Sequence, residues 1–181
     1  MANILLGVSA GIAIYKSADL ASKLSQRGDR VRTLMTPRSQ KFVTPLTFRA
    51  VTQEEVYTDT FVDDPSARIE HVSLSEWADL LVIAPATADL LGQLAAGLGD
   101  NILTVTALAF SKPVLVAPAM NDQMWAHPIV QENIEKLRRV TGYRFIEPES
   151  GHLACGSVGP GRLASIDTII AAVDEALENK G

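Results

Sequence analysis

Asp79-Leu-Leu-Val-Ile-Ala84 runs directly into Pro85-Ala-Thr-Ala-Asp89. Five apolar side chains stand in a row, a run too short for a helix and uninterrupted by polar residues. It predicts a strand covered on both faces, as in a parallel sheet. Pro85 lacks an N–H, so it suits the end of a hydrogen-bonded ladder and not its middle. Helical sequence then continues through Ala96. The ending recurs downstream, because Val82-Ile-Ala-Pro-Ala86 is echoed by Leu115-Val-Ala-Pro-Ala119. Two strands that stop alike are expected side by side, their carboxyl ends lining one crevice.

Outward from this pair, strands and helices alternate. Asn3–Val8, Val31–Met35, Val114–Ala117 and Tyr143–Ile146 read as further strands. Ile12–Gln26 carries apolar residues at helical spacing (Ile12, Tyr15, Leu20, Leu24), and Gly28 suits the position after its C-cap. Pro45–Val51, Ile102–Ala109 and His127–Arg139 read as helices, with Pro128 fitting a first turn. Ser165 is placed to cap a last helix over Ile166–Leu177. Val56–Phe61 is ambiguous, and 71–78 is an amphipathic lead into the strand at 79. Glu147–Leu163, with four glycines and two prolines, reads as a long loop. The expected architecture is α/β, a Rossmann-like or flavodoxin-like open parallel sheet of about six strands with helices on both faces.

Composition narrows the function classes. At 181 residues the chain suggests one domain, 1–181, either complete or the first part of a longer chain. Apolar residues are 47% and charged ones 20%, so it is neither disordered nor fibrous. A net charge of −5 without like-charge blocks argues against nucleic-acid and anionic-membrane partners. No signal peptide and no apolar run of membrane-span length are evident. A single cysteine cannot form an internal disulfide, which suits the cytoplasm.

Chemistry is expected at the strand ends. Pro118-Ala-Met-Asn-Asp-Gln-Met-Trp125 places an uncharged amide among thioethers and an indole, at the edge where open α/β sheets bind ligands. A carboxamide there can hold a carboxylate without adding charge. Gly7, Ser9 and Gly11 form a turn before a helix, whose free N–H groups attract anions. The spacing is neither the dinucleotide fingerprint nor a P-loop, and a plain tight turn fits as well. After the second strand stand Thr36, Arg38 and Ser39 instead of a ribose-binding acid, a set suited to a terminal phosphate or to ordinary loop polarity. His71 is a lone histidine, and His127 and His152 look more ordinary still. No histidine pair has metal spacing, and one cysteine makes a thiolate zinc site improbable, so no metal is expected. Cys155 sits in a stretch too rich in glycine and proline to be core, where a thiol on a lid could donate a proton or attack a bound intermediate.

Taken together, Gly7-Val-Ser-Ala-Gly-Ile-Ala-Ile-Tyr-Lys16, His71, Pro85–Asp89, Pro118–Trp125 and Gly151–Leu163 with Cys155 resemble the flavin-dependent cysteine decarboxylases. The resemblance covers nearly the whole chain and is closest to the coenzyme A branch. Many members carry Asn where this chain has Asp89. The resemblance implies FMN near Ser9, Ala10, Gly11 and Ile12, near Thr36 and Ser39, at Thr87, Ala88 and Asp89, and at Ala119. It implies Asn121 as the carboxylate grip, with Met120, Ala154 and Gly156 also against the substrate. His71 is implied as an acid or base near the flavin, and Cys155 as the proton donor. The implied reaction turns 4′-phosphopantothenoylcysteine into 4′-phosphopantetheine and CO₂, through a thioaldehyde and an enethiolate. The implied assembly is a homotrimer or homododecamer with active sites between subunits. Three readings compete with this one: a peptidyl-cysteine decarboxylase of lantibiotic maturation, a flavin prenyltransferase and a non-catalytic FMN-binding regulatory flavoprotein.

Overall fold

A computed structural model describes residues 1–60 and 70–178. The central sheet has six parallel strands, β1 (Asn3–Val8), β2 (Arg30–Met35), β3 (Val56–Tyr57), β4 (Leu80–Ala86), β5 (Val114–Pro118) and β6 (Tyr143–Phe145). Their spatial order is β3-β2-β1-β4-β5-β6. This is the Rossmann order, whose direction of winding reverses between β1 and β4 and opens a crevice there. The strands expected from unbroken apolar runs are all present. The ambiguous 56–61 segment contributes the two-residue β3, while Phe61 lies outside the described residues.

Because β-strand side chains alternate, the continuous apolar runs feed two cores. Ile4, Leu6, Val8, Val82 and Leu115 pack on one face, beneath α1 (Ile14–Gln26), α2 (Pro45–Thr52) and α8 (Ile166–Glu178). Leu5, Leu81, Ile83 and Val116 pack on the other, beneath α3 (Glu70–Trp77), α4 (Ala88–Ala96), α5 (Ile102–Ala109) and α7 (Pro128–Arg138). Each fully buried Leu or Ile contributes roughly 1.5–3 kcal/mol of burial free energy. Gly7 lets α5 approach, since a Cβ there would overlap the Leu103 side chain. Ser165 caps α8 as expected, its Oγ accepting from the Thr168 N–H at 3.1 Å.

Three expectations are corrected. The helix expected from Ile12 begins at Ile14, and its inner face is Ile14, Ser17, Leu20, Ala21 and Leu24. Ile12 and Tyr15 are instead 58% and 61% exposed, because they line an open cleft and not the core. The segment after Pro118, read only as a polar and thioether cluster, contains a short helix, α6 (Asp122–Ala126). The expected loop 147–163 is an antiparallel hairpin of β7 (Glu149–His152) and β8 (Val158–Arg162). Glycine and proline are poor strand formers, so this hairpin draws its support from what it docks on. Met120 donates its N–H to the Gly161 carbonyl at 2.9 Å. Gly161 has φ +115, and a Cβ there would overlap the Met120 carbonyl oxygen.

Candidate active site

β4 and β5 are neighbours, with Ala86 in register with Pro118, so the echoed endings do lie side by side. The pairing is irregular between Ile83 and Ala86, and Pro85 has no N–H to offer the ladder. Two serines of the first βα unit take up the carbonyls there. Ser17 Oγ donates to the Ala84 carbonyl at 2.6 Å, and Ser9 Oγ donates to that of Pro85 at 2.7 Å. Ser9 Oγ also accepts from the Thr87 N–H at 3.0 Å. The serine expected at the cofactor thus ties the β1 turn to the end of β4.

Above these ends, at the point where the strand order reverses, lies a cleft of about 660 Å³. Its floor is Ala10, Gly11, Ile12, Thr87, Asp89 and Ala119. Met120, Asn121 and Met124 form one wall, and Tyr15 and Lys16 of α1 another. The hairpin overhangs it with Leu153, Ala154 and Cys155. Lys16, Arg38 and Arg162 line the cleft with one carboxylate, Asp89, three cations against one anion, so the cleft attracts anions. The Lys16 amine is held below its ordinary range, first by desolvation and then by Arg162, with Glu149 opposing.

The amide of Asn121 is oriented by the helix it opens. Its Oδ1 accepts from the N–H groups of Gln123 at 2.8 Å and Met124 at 3.3 Å, capping α6. Those donors can be met only by the oxygen, so the amide's two hydrogens must point away, into the cleft. There Nδ2 donates to Cys155 Sγ at 3.1 Å. Cys155 is exposed at the hairpin turn. Hydrogen bonds from the Ser157 side chain and backbone, then from Asn121, hold its thiol below the usual range.

The cleft gathers most of the residues proposed from sequence. Ala10, Gly11, Ile12, Thr87, Asp89, Ala119, Met120, Asn121, Ala154 and Cys155 all line it. Ser39 is buried beside it, its Oγ donating to the Thr36 carbonyl at 2.6 Å. Thr36 is buried too, and its Oγ1 has no hydrogen-bond partner among the described residues. Ala88 begins α4, and Gly156 follows Cys155 in the hairpin turn with φ +90; neither lines the cleft. Asp89 accepts from Gln93 Nε2 at 3.2 Å, one turn along α4. His71 stands apart, in the first turn of α3, outside this cleft. His127 caps α7, its Nδ1 accepting from the Ile129 N–H at 3.3 Å. Sequence reading gave no site role to Tyr15, Lys16, Met124, His152 or Arg162. Lys16 stood within the quoted turn-and-helix segment, and only its reach to the cleft was hidden.

Comparison with known proteins agrees with this geometry. The Flavoprotein family model matches residues 1–178. The coenzyme A biosynthesis bifunctional protein CoaBC of Bacillus subtilis is 49% identical over 173 residues, 96% of this chain and 42% of that protein. This chain therefore spans less than half the length of that relative. A protein of Streptococcus mutans named probable phosphopantothenoylcysteine decarboxylase is 45% identical over 176 residues, 96% of this chain and 98% of that one. Among solved structures, a cysteine-to-serine variant of PPC decarboxylase complexed with pantothenoylaminoethenethiol superposes with a TM-score of 0.89. It is 34% identical, over 98% of this chain and 99% of that chain. The FMN-dependent cysteine decarboxylase SpaF gives 0.84 at 33% identity, over 98% and 96% of the two chains. The chain belongs to the Flavoprotein family, in its phosphopantothenoylcysteine decarboxylase branch.

Proposed function

We propose that this chain binds FMN in the cleft and decarboxylates 4′-phosphopantothenoylcysteine to 4′-phosphopantetheine, residues 1–181 acting as one domain. One observation carries the reading: an amide donor and a thiol, fixed 3.1 Å apart, overhang an anion-attracting cleft at the strand-order switch. The residues present fit FMN. No side chain caps the start of α1, where the Ile14 and Lys16 N–H groups go to the Gly11 and Ala13 carbonyls, so the positive end of the helix dipole is left for a phosphate, and Arg38 stands on the same cleft. Ile12, Tyr15 and Met124 are exposed apolar surfaces that a flat ring can cover. The lack of an acid after β2 suits a cofactor without an adenosine ribose.

FMN, when bound, supplies the reversible oxidation that makes the thiol-bearing carbon a thioaldehyde, so that the carboxylate leaves against a C=S sink. The protein's own residues bind, orient and move protons. Asn121 Nδ2 takes the substrate carboxylate in a charge-assisted hydrogen bond, and its own neutrality avoids repulsion. Cys155 S–H gives its proton to the carbon that lost CO₂. The hairpin covers the reacting atoms and excludes water from the thioaldehyde.

His71 lies outside the cleft of its own chain, and the neighbouring Val72 on α3 is 42% exposed. This supports a homotrimer or homododecamer in which His71 serves an adjacent subunit's cleft. Mixed oligomers of His71→Asn and Cys155→Ser chains would regain turnover if so. A thiol substrate and an unpaired cysteine fit the cytoplasm. Among the described residues, no helix is long and apolar enough to cross a membrane. The test is to load the protein with FMN, add 4′-phosphopantothenoylcysteine and follow the products by mass spectrometry. Loss of CO₂ with formation of 4′-phosphopantetheine is expected. A protein that binds no FMN, or a loaded one that leaves the substrate intact, overturns the reading.

A further inference from the structure

Four side chains form an unbroken hydrogen-bonded line across the contact between the hairpin and α6. Cys155 Sγ is 3.1 Å from Asn121 Nδ2 and 3.1 Å from Ser157 Oγ. Ser157 Oγ in turn donates to Asp122 Oδ1 at 2.9 Å. Gly159 keeps this contact close, since a Cβ there would come within 3.0 Å of the Asp122 Cβ. The mechanism above uses Asn121 and Cys155 and leaves Ser157 and Asp122 without a task. We propose that Ser157 and Asp122 are positioning residues for Cys155, sharing one hydroxyl hydrogen between the sulfur and the carboxylate and returning a solvent proton to the sulfur after each turnover. The proposal rests on the reading of Cys155 as the proton donor.

A serine hydroxyl carries a single hydrogen. While Cys155 is a thiol, that hydrogen belongs to Asp122, where the bond is charge-assisted. Once the sulfur has delivered its proton to the substrate carbon, the thiolate competes for it, and rotation about the Cβ–Oγ bond aims the hydroxyl at Sγ. Asp122, partly open to solvent, takes a proton from water and passes it to Ser157 Oγ as Ser157 gives its own to sulfur. One solvent proton thus replaces the one delivered, and no electrons move. Both anions lean on the same hydroxyl, for Ser157 is the leading cause holding the thiol and the Asp122 carboxyl below their usual ranges. One hydrogen cannot serve both fully, so the two groups titrate as a coupled pair. The other charged or titratable groups on the cleft are His152 and Arg162 of the hairpin, Tyr15 and Lys16 of α1, Arg38 after β2 and Asp89 of α4.

Cys155 is the chain's only cysteine, so the pH dependence of iodoacetamide alkylation reads its thiol without interference. In the FMN-loaded protein, Ser157→Ala is expected to raise the alkylation midpoint by about half to one pH unit, the worth of one hydrogen bond. Asp122→Asn is expected to lower it, because it removes a negative charge and leaves only a weaker, neutral acceptor to compete for the hydroxyl, while Ser157→Thr keeps the wild-type value. A side chain that merely packs the hairpin would not move the midpoint in opposite directions. A midpoint unchanged in either Ser157→Ala or Asp122→Asn, or displaced the same way by both, overturns the proposal. Alkylation needs no turnover, so this outcome is separate from that of Cys155→Ser, which tests the donor role itself.

Discussion

The two strands with the same ending lead to different chemistry. β4 and β5 both stop at an Ala-Pro-Ala segment, Ala86 pairing with Pro118 after a register shift, and each is followed by a capped helix. After β4 the cap is Thr87, whose one hydroxyl oxygen accepts from Leu90 N–H at 3.4 Å. After β5 it is Asn121, whose side chain has two unlike ends. Its oxygen caps α6 and its nitrogen still reaches Cys155. Both caps keep hydrogen to donate, one on the Thr87 hydroxyl and two on the Asn121 amide, but only the amide reaches a reactive group, the Cys155 sulfur. The β4 end floors the cleft, and the β5 end presents an amide donor to it.

The comparison breaks first at Cys155. Cys155→Ser should reduce product formation by about 10²–10⁴-fold, the scale of a lost general acid, while the enethiol accumulates and is seen by mass spectrometry. Full turnover would remove the thiol from the mechanism. Gly161→Ala should come next, since it combines a positive φ with overlap onto Met120, and such strain costs about 1–3 kcal/mol. It should lower the melting temperature and loosen the hairpin, read as faster proteolysis near residue 155.

The caps can be set against each other directly. Asn121→Ala and Thr87→Ala should each cost about 1 kcal/mol in denaturant melts, Thr87 less because its bond is long. Only the Asn121 change should also remove decarboxylation. Equal activity in both variants would erase the distinction between the two ends. The smallest effect concerns pH. A proton donor must be protonated, so the protonation step should fail as pH rises through the thiol's midpoint. Because that midpoint is lowered, the fall in single-turnover rate should begin at lower pH than for an ordinary thiol. A rate flat through that range would contradict the assignment.

The strands were legible because both faces of a parallel sheet are buried, which leaves unbroken runs such as Leu80–Ala84 in the sequence. The crevice was legible because Pro85 and Pro118 mark where the ladders end. The hairpin was not, since Gly151, Gly159 and Pro160 are poor strand residues and its support is docking onto Met120 and Asp122. Tyr15 was counted in the apolar spacing of α1 although it lines the cleft, because periodicity cannot tell a core from a ligand cleft. The tie from Ser9 to the end of β4 was not legible, because nothing local reveals that the Pro85 carbonyl needs a donor. Asn121 carried the clearest signal of all, yet its orientation depended on α6, a helix of five residues that composition alone did not disclose.

The most direct test is Asn121→Asp in the FMN-loaded protein. Aspartate caps a helix as well as asparagine does, so α6 and the melting temperature should be kept. Its second oxygen, however, would put an acceptor and a negative charge where the substrate carboxylate must bind. The expected result is wild-type stability and FMN binding with no CO₂ released from 4′-phosphopantothenoylcysteine. A stable, FMN-loaded variant that decarboxylates at the wild-type rate would contradict the account.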